Sequence, residues 1–342
     1  MSRLTLALDV MGGDFGPRIV IPAVATALNQ HSMLSFLLYG DQAIAQPYLN
    51  NLTAEQQRRI TFVHTPQQIS PDLPLATALR QSKGSSMRMA IEAVAEGKAD
   101  GCVSGGSTAV LMALAKRLIQ PLPNIDRPAL TSLIPTMNGK SSVMLDLGAN
   151  VEADQHQLTQ FAEMGNIFAE VMLKLVFPRM ALLNIGTEDN KGSQTVRDTH
   201  QALKMRNDLN YLGFIEGDKL MNHLADVIVC DGLSGNIALK TLEGAVKNVL
   251  SFFKTQEGDL CRLAKRYLLR LIFYRYYRKL KQINPDRHNG ATLLGLLSVV
   301  VKSHSGAGSN AFYYAIEYAL SQIENQIPQK ISQGLGRFGD LA

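Results

Sequence analysis

With 342 residues, of which 46% are hydrophobic and 18% charged, the chain has the length and apolar content of one large or two modest globular cores. Three cysteines are an odd count, and Cys102 and Cys230 sit in or beside apolar runs where a thiol behaves as a small hydrophobe, so a reducing cytosolic compartment is expected. The net charge of +5 is modest and gives no reason to expect a nucleic-acid partner.

Asp9 interrupts the first apolar run, which speaks against a secretory leader. The longest stretch without Asp, Glu, Lys or Arg, Ile19 to Gly40, is broken by Pro22 and by Asn29-Gln30-His31-Ser32, so no spanning helix is expected. Leu4 to Val10 reads as a strand and a helix starts at Pro17. Strand Leu34 to Tyr39, helical pieces to about Arg59, strand Ile60 to His64, helix Ser85 to Ala95, strand Gly101 to Ser104 and a helix to Leu118 follow. After a loop with Pro121, Pro123 and Pro128 come strands Ala129 to Ile134 and Ser142 to Leu147, a long helix from Asp154, strand Met180 to Ile185, a helix from Ser193 and strand Tyr211 to Ile215. An apolar run, Val227 to Cys230, then meets the turn Asp231-Gly232-Leu233-Ser234-Gly235-Asn236 and a helix spaced by Ile237, Leu239, Leu242 and Val246.

This alternation predicts an α/β fold with a mainly parallel sheet sandwiched by helices. A hairpin through Met137-Asn138-Gly139-Lys140 makes the sheet mixed. No repeat or low-complexity linker divides the chain. A single domain over 1–327 is expected, with a protruding amphipathic segment at 255–285 and a fraying, Gly-rich tail at 328–342.

Residues 260–283 carry Arg262, Lys265, Arg266, Arg270, Arg275, Arg278, Lys279 and Lys281, with no acid between Asp259 and Asp286. The basic positions drift from one helical face to the other, which implies two short helices or a bend near Phe273. Arg266, Arg270, Leu271, Ile272 and Phe273 fit an anionic bilayer surface, and a dimer-packing hairpin is the alternative.

The strand–turn–helix at Asp231 to Asn236 has the make-up of an anion seat, because glycines allow close approach and a helix's first N–H groups point outward. Ser104-Gly105-Gly106-Ser107-Thr108 repeats the construction, and apolar runs also stop at Asp9-Val10-Met11-Gly12-Gly13-Asp14, at Asp146 to Asn150 and at Asn184-Ile185-Gly186. In an open parallel sheet such turns share one edge and face one site. Lys83-Gly84-Ser85-Ser86-Met87-Arg88 sets two hydroxyls and two cations at a helix start, either an anion clamp or an ordinary cap. Asp9 and Asp14 either bind a cation or stabilise their turn. Gly105 to Ala109 nearly fits a nucleophile elbow, yet Ser107 reads better as a helix cap, since no acid and histidine are assignable to it. Gly334 to Gly339 fits a dinucleotide pattern but follows no strand, and Gly139-Lys140-Ser141 lacks the first glycine of a P-loop. Seven scattered histidines without H-E-x-x-H make a metal site unexpected. His304, beside Lys302, is either structural or functional.

Asp9 to Asp14 with Pro17, Lys83 to Met87, Arg127-Pro128-Ala129-Leu130, LDLGAN from Leu145, LLNIG from Leu182 with Lys191-Gly192, VCDGLSGN from Val229 with Leu239-Lys240-Thr241 and Glu243-Gly244, and Gly290 to Gly295 together resemble the PlsX family, the acyl-ACP:phosphate acyltransferases of bacterial phospholipid synthesis. Order and spacing agree from about Leu4 to Ala319. Departures stand at Gly105-Gly106-Ser107-Thr108-Ala109, where the family usually has Ala-Gly-Asn-Thr-Gly, at Thr187 in place of Glu, and at Ser305 in place of Gly. The resemblance implies a fold similar to phosphotransacetylase and isopropylmalate dehydrogenase, a homodimer, and transfer of a fatty acyl chain from acyl carrier protein to inorganic phosphate without a cofactor. It also implies peripheral contact of a cytoplasmic protein with the inner face of the membrane, where a glycerol-phosphate acyltransferase takes up the product.

On that reading the turns Gly232 to Asn236 and Gly105 to Thr108, with Ser85, Ser86 and Lys83 or Arg88, hold phosphate. Asn236, Asn150 or a backbone N–H polarises the carbonyl, and Lys191, Lys240 or His304 assists departure of the thiolate. Asp9, Gly12, Gly13, Asp14, Ser104, Gly105, Gly106, Ser107, Thr108, Asn184, Gly186, Asp231, Gly232, Ser234 and Gly235 complete the expected substrate site. A nicotinamide-dependent dehydrogenase and a non-enzymatic lipid sensor are the rival readings.

Overall fold

A computed structural model describes residues 3–70, 72–252, 287 and 289–337. The first half alternates β1 (Leu4–Asp9), α1 (Pro17–Gln30), β2 (Leu34–Gly40), α2 (Gln42–Leu49), α3 (Ala54–Arg58), β3 (Ile60–His64), α4 (Leu75–Arg80), α5 (Ser86–Ala95), β4 (Gly101–Ser104) and α6 (Thr108–Leu118). Then come β5 (Ala129–Pro135), β6 (Ser141–Leu145), α7 (Gln155–Met172), β7 (Arg179–Leu183), α8 (Gln194–Lys204), β8 (Asn210–Ile215), a 3-10 turn at Gly217–Asn222, β9 (Val227–Val229) and α9 (Gly232–Phe252). The last elements are β10 (Ala291–Leu294), β11 (Val299–Lys302), α10 (Ser309–Glu324) and α11 (Ile327–Leu335).

The strands form one sheet in the order β3-β2-β1-β4-β11-β10-β5-β6-β9-β7-β8. The five strands from β3 to β11 are parallel to one another, as are β6, β9, β7 and β8. Between the two blocks β11–β10, β10–β5 and β5–β6 are antiparallel. Three reversals leave the blocks running in opposite directions. The Gly-bearing turns therefore do not share one edge, as the alternation of strands and helices suggested. What reverses the second block is the short pair β10 and β11, Ala291–Leu294 and Val299–Lys302, four residues each and too short to stand out by periodicity. Strand β5 joins the halves by changing its partner midway: Ala129–Thr131 pair with β10, while Ser132–Pro135 pair with β6.

Helices cover both faces, so β4 and β9 are buried throughout and β1 from Leu6 onward, as parallel strands must be. Leu6, Phe36, Leu38, Val103 and Val301 pack with Val20 and Val24 of α1 and with Phe312 and Ile316 of α10. On the same face of the other half, Val143, Leu145, Met180 and Val229 pack with Phe161 and Phe168 of α7. Across the opposite face a single cluster runs from Ala7, Cys102 and Val300 through Leu293, Leu130 and Met144 to Ile228. A core that continues across the seam is what binds the two blocks into one unit.

The tail expected to fray from 328 is helical in α11, with Ile327, Pro328 and Ile331 buried beside α7. Ile327, Ile331 and Leu335 recur at four-residue spacing, and Gly334 lets the helix close on Ile167. The segment with Arg266, Arg270, Leu271, Ile272 and Phe273 lies outside the described residues. Among those described, no helix is long and apolar enough to cross a membrane.

Candidate active site

A cavity of about 390 Å³ opens at the seam where β5 changes partner. Leu130, Leu133, Ile134 and Pro135 of β5, with Leu239, Leu242 and Val246 of α9, give it an apolar wall; Thr108, Asn236, Lys240, Lys302, His304 and Ser305 supply the polar lining. Because the two blocks run oppositely, Thr108 after β4 with Lys302 and His304 at the end of β11 reach the cavity from one side, and Leu147 and Gly148 after β6 with α9 from the other.

On the first side Asp9 is 1% exposed and accepts from Ser86 Oγ and Ser104 Oγ, both at 2.7 Å. Burial raises its pKa, and the N–H groups of Met11 and Gly12 join the two hydroxyls in opposing that rise. Ser104 Oγ also accepts from Gly106 N at 3.1 Å, and a Cβ at Gly12 would stand 2.8 Å from that same nitrogen. Asp9, Gly12, Ser86, Ser104 and Gly106 thus brace one another behind the cavity. At the start of α6 the N–H groups of Thr108, Ala109 and Val110 have no partner among the described residues, and Thr108 lines the cavity. Ser107 holds the cap position but its hydroxyl caps nothing.

Beyond β11, Lys302 Nζ donates to the carbonyls of Gly105, at 3.3 Å, and Ser303. Burial, then repulsion from Lys240, lowers its pKa to about 8. His304 N donates to Asn289 Oδ1 at 3.0 Å, while the Asn289 amide donates to Ser303 Oγ and to the Ala311 carbonyl, both at 2.8 Å. Gly306 N donates to His304 Nδ1 at 3.1 Å, which leaves Nε2 as the protonated nitrogen of the neutral ring. Burial and the Lys240 charge hold the His304 pKa below its ordinary value. Asp14 N donates to Ser305 O at 2.9 Å, tying the first turn to this loop.

On the second side Asp146 is fully buried and accepts from the N–H groups of Leu130, Gly148, Ala149 and Asn150 and from the Asn150 amide, all at 2.7–3.1 Å. That carboxylate sets the turn onto which α9 docks. Here the helix start differs from the sequence expectation. Gly232 N donates to Asn150 O, Leu233 N to Val151 O, Ser234 N to Asp231 Oδ1 and Gly235 N to Asp231 O. The first four N–H groups are occupied by the protein's own carbonyls and carboxylate, so this helix presents no free backbone end to an anion. Only from Asn236 onward does α9 face the cavity.

The model of the family described as fatty acid synthesis protein matches residues 4–330. The chain belongs to that family. It is 73% identical over 339 residues to a phosphate acyltransferase of Actinobacillus pleuropneumoniae serotype 5b, covering 98% of each chain, and 62% identical over 336 residues to one of Haemophilus ducreyi, again covering 98% of each. Among solved structures, a phosphotransacetylase from Streptococcus pyogenes superposes with a TM-score of 0.59 at 18% identity, over 94% of each chain. The EutD phosphotransacetylase of Staphylococcus aureus gives 0.55 at 16%, over 97% of this chain and 94% of that one. At those identities the likeness is one of fold. The family resemblance and the phosphotransacetylase-like architecture expected from the motifs are borne out.

Within this family member the expected site residues divide. Asn236, Lys240, His304 and Thr108 line the cavity. Gly105 accepts from Lys302 at the α6 turn, and Asn150 is buried beneath the α9 turn, its amide donating to Pro128 O and to Asp146. Lys83 is exposed, Ser85 caps α5 through Arg88 N, and Arg88 is drawn away to Glu92 at 2.7 Å. Lys191 is exposed on the loop after β7, where Asn184 Nδ2 donates to its carbonyl at 3.2 Å; neither residue, nor Gly186, lines the cavity. Lys302 and Asn289 received no role from the sequence. The signal for Lys302 is the run Val299-Val300-Val301 ending at it, which marks a buried strand delivering a cation to its end.

Proposed function

We propose that the chain catalyses transfer of a fatty acyl group from a thioester on acyl carrier protein to inorganic phosphate, giving an acyl phosphate for phospholipid synthesis. The observation that carries this reading is a cavity that joins an apolar trough to a helix end whose first N–H groups have no partner among the described residues, in a chain 73% identical to a phosphate acyltransferase. The relatives' names favour acyl transfer over the dehydrogenase and lipid-sensor readings. Phosphate is already an anion near neutrality and serves as the nucleophile, so the site has to hold it, orient it and stabilise the oxyanion.

The seat for phosphate is the α6 start, with Thr108 and the N–H groups of Thr108 to Val110. The acyl chain lies along Leu130, Ile134, Leu239, Leu242 and Val246. The Asn236 amide and the His304 Nε2–H donate to the carbonyl oxygen as it gains charge. Lys191 and Lys240 stand outside this chemistry and favour approach of an acidic carrier. Thiol release from acyl-ACP that requires phosphate, with hydroxylamine-trappable acyl phosphate formed in equal amount, tests the reading. Release without phosphate, or an acylated side chain trapped during turnover, would overturn it.

The reading includes a homodimer and a peripheral place at the anionic inner face of the membrane, close to the acyltransferase that consumes the product. Its support is the cationic and apolar sequence of 260–283. Flotation with anionic liposomes should be lost in a Leu271→Glu, Ile272→Glu variant, and persistence would assign the segment to packing between subunits.

A further inference from the structure

Lys302 ends β11 in the cavity wall, and the roles above leave it without a task. An ammonium has three donors. Two of them are fixed by the Gly105 and Ser303 carbonyls, and the residue lines the cavity. Gly105 belongs to the turn that opens α6, so the amine is anchored beside the helix end assigned to phosphate. Its third donor is the one available to a ligand.

The reaction sets a demand that phosphate binding alone does not meet. An oxygen of hydrogen phosphate bonds to the thioester carbon, and the carbon–sulfur bond breaks with its electron pair on sulfur. The acyl phosphate, a mixed anhydride, holds a proton less firmly than the phosphate it came from, while the departing thiolate needs one. One proton must therefore pass from phosphate to sulfur in each turnover.

Resting on the acyltransferase reading, we propose that Lys302 carries that proton. The ammonium donates to the departing sulfur; the resulting amine takes the proton released by phosphate as the new bond forms, and is again an ammonium for the next cycle. Among the described residues, the charged groups around it are Lys240 on α9, Asp9 at the end of β1 and Asp14 in the following turn, with the titratable but neutral His304 in its own loop. Burial and Lys240 lower its pKa to about 8, against the pull of the two aspartates. An unactivated thiol holds its proton at least as firmly as free cysteine, at about 8.5, so transfer from this ammonium to the departing thiolate runs downhill without leaving the amine too weak a base to be recharged. The rivals fit less well. His304 is held below its ordinary pKa and its Nδ1 is engaged by Gly306, and Lys240 is half-exposed and paired with Glu243 at 2.9 Å.

The leaving group provides the test. Lys302→Met and Lys302→Arg are assayed with an acyl pantetheine thioester, whose thiolate needs a proton, and with an acyl aryl thioester, whose far more acidic thiol leaves as the anion. Turnover with the alkyl thioester should fall about 10²-fold or more in both variants, the scale of general acid catalysis. With the aryl thioester it should return to within a few-fold of wild type, which also shows that the variants fold. Equal loss with both thioesters, a loss confined to the KM for phosphate, or no loss would overturn the proposal. Wild-type protein that releases no thiol in a phosphate-dependent way would instead refute the acyltransferase reading itself.

Discussion

The carbonyl of Asn150 accepts the N–H of Gly232 at 2.8 Å, so the turn after β6 closes the very helix end that its glycines advertise. The close approach is the reason for those glycines. A Cβ at Gly232 would lie 2.3 Å from Asn150 O, and one at Gly235 1.9 Å from Asp146 O and 2.8 Å from Cys230 Sγ. The contacts are with backbone and a buried thiol, none of which can swing aside. In this turn glycine serves packing between two turns, and ligand contact passes to Asn236 one residue later.

Gly235→Ala should therefore displace the start of α9, lowering stability by about 1–3 kcal/mol, the usual scale of overpacking, and lowering turnover as Asn236 shifts. Gly244→Ala in the same helix meets nothing within 4 Å and should raise stability by about 0.5–1 kcal/mol through helix propensity. Urea denaturation of both variants checks the contrast. Equal effects would mean that α9 does not dock on Asp146 as described.

His304 is assigned to the oxyanion, so its loss should act on the chemical step whatever the leaving group. His304→Ala should reduce kcat by about 10²–10³-fold with alkyl and aryl thioesters alike, the range for removal of an oxyanion donor. The pH dependence has a fixed sign. A folded pKa below the ordinary 6.5 keeps the ring neutral at pH 7, and the rate should fall only as acid protonates Nδ1 and breaks its bond from Gly306 N. With the rate expressed per hydrogen phosphate dianion, a wild-type rate that still falls from pH 8 to 7 with an aryl thioester would contradict this.

Lys302 also leaves a mark on stability that can be read without substrate. Below pH 8 the amine is protonated in both folded and unfolded chains, and the folded state bears the cost of a buried charge; above 10.5 it is neutral in both. Between these values the unfolded chain binds a proton that the folded chain has lost, so stability rises with pH, by at most about 3 kcal/mol for the window as a whole. Lys302→Met should remove that rise. Phosphate-free denaturation curves at pH 7.5 and 10.5 for both proteins measure it.

The motifs that identify the family were legible in the sequence because each is a turn where glycine meets a small polar residue, and such turns keep their chemistry in any register. Their placement was not. Whether the turn at Gly232 and the turn at Gly105 face the same side depends on three antiparallel pairings, and the two shortest strands involved, β10 and β11, lie beyond a long basic segment that dominates the pattern there. Occupancy of a helix end is hidden for the same reason: the partner of Gly232 N is a carbonyl 82 residues earlier, at Asn150, and nothing local announces it. Arg88 shows the reverse case, since Glu92 four residues on is a visible helix-spaced partner that removes it from any anion clamp.

The cations outside the reacting centre make a last prediction. Lys191 is exposed, and Lys247 is exposed at the cavity lining on α9. If an acidic carrier delivers the acyl chain past them, long-range attraction should raise its encounter rate and should be screened by salt. Lys191→Glu with Lys247→Glu should lower kcat/KM for acyl-ACP about tenfold at low ionic strength, with the difference from wild type shrinking as salt is added. The same double variant should stay within about twofold of wild type on a neutral acyl pantetheine thioester, because neither lysine holds phosphate or the oxyanion in this site. A matching loss on the neutral thioester would move one of these lysines into the chemistry, and an unchanged rate on acyl-ACP would place the carrier on another face.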